Sequence, residues 1–190
     1  MTLGDVAVPL LVGGITIAAV LWRLRVVVPP GHIAVISGRS HVTPDGETRG
    51  YRIVMRRSTM RMPLVERCDL LSVGPFSVEA TMRNLHTKGG GRAHIRMCAR
   101  LTIPRDYGVA VRAVERFVGR GDAEIITVGR ETLEGVWRGV AATLTTRELR
   151  EDRATVGSAI MGKAQPELEG LGLTMQSLDT FEVTDAESPA

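Results

Sequence analysis

The stretch that decides the fold runs from Phe76 to Ile103, FSVEATMRNLHTKGGGRAHIRMCARLTI. In its first part Phe76, Val78, Ala80 and Met82 alternate with Ser77, Glu79, Thr81 and Arg83. In its second part Ala93, Ile95, Met97, Ala99, Leu101 and Ile103 alternate with Arg92, His94, Arg96, Cys98, Arg100 and Thr102. A period of two marks strands with one buried face. Between them Lys88-Gly89-Gly90-Gly91 supplies the positive-φ positions of a hairpin turn. The pattern predicts a long antiparallel hairpin with one core face and one wet, basic face.

Upstream, Val26–Val28 and the Pro29-Pro30-Gly31 break lead into a strand over His32–Ser37, apolar on both faces and therefore buried. Ser40–Gly50 reads as a polar loop turning at Pro44-Asp45-Gly46. Tyr51–Arg56, Ser58–Pro63 and Cys68–Val73 read as three further strands. Downstream of Pro104 the period becomes helical. Tyr107, Val111, Val114, Phe117 and Val118 share one helix face, ended by Gly119-Arg120-Gly121. Ile126, Leu133, Val136, Trp137, Val140 and Leu144 line a second helix over 122–144, with Glu124, Arg130, Glu131 and Arg138 outside. Thr145 and Glu148 form a capping box that starts a third helix, which Pro166 bends or stops and Gly170-Leu171-Gly172 closes. Leu173–Val183 returns as a strand. Strands followed by three helices and a closing strand make an α+β domain. Its strand-rich part spans 26–104 and its helical part with the closing strand 105–185, leaving 186–190 as a tail.

Ahead of the domain, residues 1–25 read as a membrane anchor. The 17 residues Val6–Trp22, VAVPLLVGGITIAAVLW, carry no charge. As a helix they cover roughly 25 Å, enough to cross a bilayer with some thinning or snorkelling. Val6, Leu10, Leu11, Ile15, Ile17, Val20 and Leu21 supply the apolar surface, Trp22 suits the headgroup level, and Arg23 and Arg25 follow at once. A cleaved signal peptide starts with a basic residue and ends in small ones; this segment starts MTLGD and ends Val20-Leu21-Trp22. Arg23 and Arg25 against Asp5 put the N-terminus outside a cell membrane that is crossed once, with the domain facing the cytoplasm.

Residues 1–100 hold 14 basic and 6 acidic side chains, and residues 101–190 hold 10 and 15, so +8 faces −5. Arg52, Arg56, Arg57 and Arg61 lie in the densest basic run and become candidate lipid or subunit contacts; Glu148, Glu151 and Asp152 are their acidic counterparts. Apart from Tyr51 the run has no interleaved aromatic side chains and no recognition motif, which speaks against nucleic acid as the partner.

A membrane segment leading into VPPGHIAVISG, then strands, paired helices and a closing strand, resembles the stomatin/prohibitin/flotillin (SPFH, or band 7) superfamily, and within it most the flotillin branch. The resemblance rests on Val35-Ile36-Ser37-Gly38, Gly50-Tyr51 and Cys68-Asp69-Leu70-Leu71, and most specifically on Glu131-Thr132-Leu133-Glu134-Gly135 through Leu144-Thr145. Glu151-Asp152-Arg153, Pro166 and Gly170-Leu171-Gly172-Leu173 continue it. It covers about Val28 to Asp185, and implies that Arg153 pairs with an acid. Flotillins continue into a long coiled coil that aids oligomerisation. Here the sequence ends with Asp185-Ala186-Glu187-Ser188-Pro189-Ala190, where that helix would begin, so the expectation is an SPFH domain with no C-terminal coiled coil, either a minimal SPFH protein or a fragment.

No catalytic constellation stands out. His94 and Cys98 share a strand face but lie about 13 Å apart, too far for a thiolate pair. Cys68 and Cys98 read as structural thiols, and His32, His41, His86 and His94 never adopt zinc spacing. Gly89–Gly91 lacks the Gly-Lys-Ser/Thr of a phosphate loop, and no Gly-x-Ser-x-Gly occurs. No enzyme activity, cofactor or metal is therefore expected. The implied role is a membrane scaffold with lipids, further copies of itself and a membrane-protein client as partners. The alternative is a regulatory subunit that sequesters a membrane protease or transporter.

Overall fold

The alternation in Phe76–Ile103 becomes two of the three strands of one sheet. The structure is a computed structural model and describes residues 13, 14, 22, 25–42, 46–55, 58–60 and 65–185. Among them are eight strands: β1 (Arg25–Val27), β2 (His32–Val42), β3 (Thr48–Val54), β4 (Ser58–Met60), β5 (Arg67–Ser72), β6 (Phe76–His86), β7 (Arg92–Thr102) and β8 (Thr174–Asp185). Four helices lie between β7 and β8: α1 (Tyr107–Phe117), α2 (Asp122–Ala141), α3 (Thr146–Glu151) and α4 (Arg153–Gly170). The α+β class holds. Contacts divide the chain into two units, Met1–Leu71 and Ser72–Ala190, so the hairpin belongs with the helices. The division at residue 104 marks the change from strand to helix.

In the first unit β2 lies between β3 and β5, and β1 pairs antiparallel with β4. Residues 26–28 had read only as a connection. The loop expected over Ser40–Gly50 is shorter than its polarity implied. β2 runs on to Val42 and β3 begins at Thr48, with a register shift between Ser37 and His41. Gly38 makes this possible: its φ of 121° suits glycine, and a Cβ there would collide with the Val65 carbonyl oxygen. His41 is therefore a strand residue rather than a loop imidazole.

In the second unit β7 lies between β6 and β8, all antiparallel. Val78, Ala80, Met82, Ile95, Met97, Ala99 and Leu101 are buried on one face, and α2 covers it with Ile125, Leu133, Val136 and Trp137. Ile125 takes the buried place expected of Ile126, which is only half-buried. Gly129 is where helix and sheet come closest, since a Cβ on it would meet the Leu101 side chain. Trp137 meets Phe181 of β8 edge-on at 5.3 Å. Gly89 and Gly90 take the positive φ values expected of the turn.

The helical region departs from the expected three helices at Asp152. Its backbone (φ −108°, ψ 66°) leaves the helical region, and its carboxylate accepts from the Thr155 N–H, so one predicted helix becomes α3 and α4. Pro166 neither stops nor ends α4. The ring tolerates helical φ, and the Gly162 carbonyl it leaves without a helical partner belongs to an exposed residue that water reaches. A Schellman closure ends α4, with Leu173 N–H to Leu168 O at 2.8 Å and Gly172 N–H to Glu169 O at 3.1 Å. α2 stops at Ala141, short of Leu144, where the bonding tightens to i→i−3, with Thr143 N–H to Val140 O at 3.0 Å and Leu144 N–H to Ala141 O at 3.2 Å.

Among the described residues no helix is long and apolar enough to cross a membrane. The anchor residues Val6, Leu10, Leu11, Ile15, Ile17, Val20, Leu21 and Arg23 lie outside the described residues. Trp22 is helical and exposed, and Arg25 opens β1.

Candidate functional site

The residues singled out for contact with lipid or with another subunit fall into two groups, one in each unit. In the first unit Arg52 of β3 lies across β2 from Ile36. Its Nη2 is 3.5 Å from Oε2 of Glu66, a carboxylate only 8% exposed. His41 Nε2 approaches the other oxygen of Glu66 at 3.8 Å. A buried carboxylate needs such company, because taking the charge out of water costs several kcal/mol. Arg49, three residues before Arg52, donates to Glu47 at 2.8 Å and to the Tyr51 hydroxyl at 2.9 Å. The arginines of β3 are thus part of the unit's own polar structure as well as its surface charge. Arg56, Arg57 and Arg61 lie outside the described residues.

In the second unit Glu148 closes the expected capping box. It accepts from the Thr145 N–H at 2.8 Å while the Thr145 hydroxyl accepts from Glu148 N–H. The bond from the Thr145 N–H and a second from the Thr145 hydroxyl at 2.8 Å, the backbone one first, hold the Glu148 carboxyl below the usual carboxylate range, and hydrogen bonds from Thr155 do the same for Asp152. Glu151 is held by Arg147 at 2.9 Å. All three acids are exposed, and Arg147 and Arg150 alternate with them on α3. This short helix carries no net charge. Arg153 lies 5.9 Å over the Phe181 ring, a cation–π contact in place of the acid partner that the resemblance implied.

Nothing in the hairpin's own pattern announces what β8 brings to its outer face. That face was expected to be basic. Register places Glu182 beside Arg96, Thr180 beside Cys98 and Ser177 beside Arg100. Asp179 joins Arg100 at 2.9 Å, and a hydrogen bond from Ser177 is the main cause that keeps its carboxyl low. On the other side Glu79 lies opposite Cys98. The face is therefore mixed in charge, and Glu79, Thr81, Arg96, Cys98 and Glu182 line a shallow, open depression of about 480 Å³ on it. The two acids of β8, Asp179 and Glu182, come from 79 or more residues beyond the arginines they face, so hairpin periodicity contains no trace of them. Cys98 meets the Ser77 hydroxyl at 3.7 Å, and His94 is engaged elsewhere, its Nδ1 accepting from Asn84 N–H at 3.2 Å. Among the described residues no group of three or more His, Cys, Asp or Glu is placed to hold a metal ion.

The chain matches the SPFH domain / Band 7 family over residues 26–190. It belongs to that family. Human flotillin-1 is 22% identical to this SPFH chain over 157 residues, which cover 82% of the chain and 35% of the relative. The Drosophila melanogaster flotillin-1 is 22% identical over 159 residues, 83% of the chain and 36% of the relative. The similarity is consistent with the flotillin branch, and this SPFH chain spans about a third of the length of these relatives.

Proposed function

We propose that this SPFH protein is a single-pass membrane scaffold that oligomerises at the bilayer and organises lipids or membrane proteins there, without catalysing a reaction. The observation that carries this reading is the SPFH match beginning at residue 26, directly after the uncharged run Val6–Trp22 and its flanking arginines. In this arrangement the N-terminus lies outside and the two folded units face the cytoplasm.

Subunit contacts between Glu148, Glu151 or Asp152 and Arg52, Arg56 or Arg57 are worth about 0–1 kcal/mol per exposed pair. Confinement to the bilayer therefore supplies most of the assembly through effective concentration. Fractionation tests the anchor: the full chain stays in membranes through high-salt and carbonate washes, and release into the soluble fraction overturns the reading. Native mass of the detergent-extracted protein tests the assembly, for which a multiple of the chain mass is expected and a monomer refutes it. Recovery of a stoichiometric protease or transporter in mild detergent would replace the scaffold role by sequestration of that partner.

A further inference from the structure

Charge on the outer face of the β6–β7–β8 sheet changes along the strands. At one end Arg100 is paired with Asp179, and in the middle Arg96 has Glu182 beside it and Glu79 close by. Toward the hairpin tip the acids thin out: in register the last of β8, Asp185, stands opposite the buried Ala93 rather than opposite an arginine. His86 lies opposite Arg92, and His94 lies opposite the neutral Thr184. The register shift between Met82 and Leu85, with Asn84 at φ 56°, brings Arg83 and Asn84 beside His94. Arg83, His86, Arg92 and Arg96 are exposed. Among the described residues no carboxylate oxygen lies within 4.0 Å of Arg83, Arg92 or Arg96. Lys88 at the tip differs, because its charge acts on Glu148.

We propose that Arg83, Arg92 and Arg96, with His94 between them, form a docking surface for the phosphate-bearing headgroups of an anionic bilayer. Neighbouring strands are about 4.8 Å apart, and residues on one face repeat about every 6.8 Å. On such a grid one phosphate reaches two guanidinium groups, and each can meet it through the paired N–H donors of its own planar fork. The bond from Asn84 occupies Nδ1 of His94, so the neutral ring keeps its proton on Nε2 and offers one more donor.

Two other occupants fit less well. The helices of this unit provide little to attract a second copy: α1 carries one excess positive charge, α3 and α4 are neutral, and α2 has two excess negative charges. This end of the face has no Phe, Tyr or Trp on which nucleic-acid bases would stack. The proposal rests on the membrane-scaffold reading and adds to it the surface that meets the lipid.

The test uses the full chain reconstituted into neutral phosphatidylcholine vesicles and into vesicles in which about a third of the lipid is phosphatidylserine. Phenylglyoxal modification of each arginine is followed by mass spectrometry. In anionic vesicles Arg83, Arg92 and Arg96 should react about fivefold more slowly than in neutral ones, salt should abolish the difference, and Arg100, already held by Asp179, should react alike in both. In Arg83→Glu/Arg92→Glu the protection of Arg96 should vanish while the chain still floats with the vesicles. Equal rates in both vesicle types overturn the proposal and leave the scaffold reading intact. Protection that appears in neutral vesicles and grows with protein density assigns the face to a second copy and also overturns it. A chain that floats with neither vesicle type refutes the scaffold reading and the proposal together.

Discussion

Replacing Gly129 with alanine sets two effects of known sign against each other at the point where α2 meets the sheet. Alanine is favoured over glycine inside a helix by about 1 kcal/mol, so propensity alone raises stability. The new methyl would lie 2.5 Å from Cδ1 of Leu101, with Val78 and Leu173 at 3.8 and 3.9 Å. Carbon atoms prefer about 3.5–4.0 Å, so helix and sheet have to part by about 1 Å or Leu101 has to change rotamer. Leu101 is fully buried on the central strand and has nowhere to retreat. Overpacking of this kind costs about 1–3 kcal/mol. The steric term wins, for a net loss of about 1–2 kcal/mol. With a urea m-value near 2 kcal/mol per molar, the unfolding midpoint drops by about 0.5–1 M. Trp137, fully buried on the inner face of α2, is the reporter in a Trp22→Phe background, followed by fluorescence during urea titration. Gly139→Ala is the control: it lies on the same helix, has nothing within 4 Å of a built Cβ, and should gain about 0.5–1 kcal/mol. If Gly129→Ala stabilises as much as Gly139→Ala, the spacing of helix and sheet is compliant and the packing argument is wrong.

Glu66→Ala removes the carboxylate shared by Arg52 and His41 and should destabilise the first unit by about 2 kcal/mol, a figure reduced because Arg52 is one-third exposed. Faster hydrogen exchange in peptides from residues 32–54, with no change in residues 122–170, is the expected readout. Gly172→Ala forces alanine to a φ of 83° and drives its methyl into the Ala113 backbone, so a loss above about 3 kcal/mol in the Trp137 titration is expected. Thr145→Ala removes the cap of α3 and should cost about 1 kcal/mol by the same titration. The capped carboxyls of Glu148 and Asp152 titrate lower in the folded chain than in the unfolded one. Their stabilisation is therefore present above the ordinary carboxylate pKa of about 4 and is lost as pH falls through the depressed values. Urea midpoints measured from pH 6 down to about pH 3 should fall, and less steeply in Thr145→Ala. An equally steep fall in that variant would remove the cap from the account.

Local signals were legible wherever their cause lies within a few residues of chain. The period-two alternation of Phe76–Ile103 and its glycines define the hairpin without help from elsewhere. The capping box at Thr145 and Glu148 and the closure at Gly170-Leu171-Gly172 also stood in the sequence, because caps answer to donors and acceptors one turn away. The ends of elements were less legible. At Pro166 and Asp152 the choice between continuing and breaking depends on which backbone groups water or a side chain can satisfy, and residue type alone does not record that.

Tertiary structure decided the rest. The pairing of β1 with β4, the burial of Glu66 between Arg52 and His41, and the close approach at Gly129 all join residues far apart in the chain. The charge of the candidate surface is the clearest instance. Read alone, β7 is a basic strand; β8 returns beside it 79 residues later and sets Asp179 on Arg100 and Glu182 beside Arg96. Among the described residues of this face, Arg83, Arg92 and Arg96 have no carboxylate within ion-pair distance, whereas Arg100 does. Sequence by itself determined the family, the α+β class and the hairpin, because pattern and propensity are local. Which arginines remain for a partner depended on the fold, since Coulomb interactions follow distance in space rather than separation along the chain.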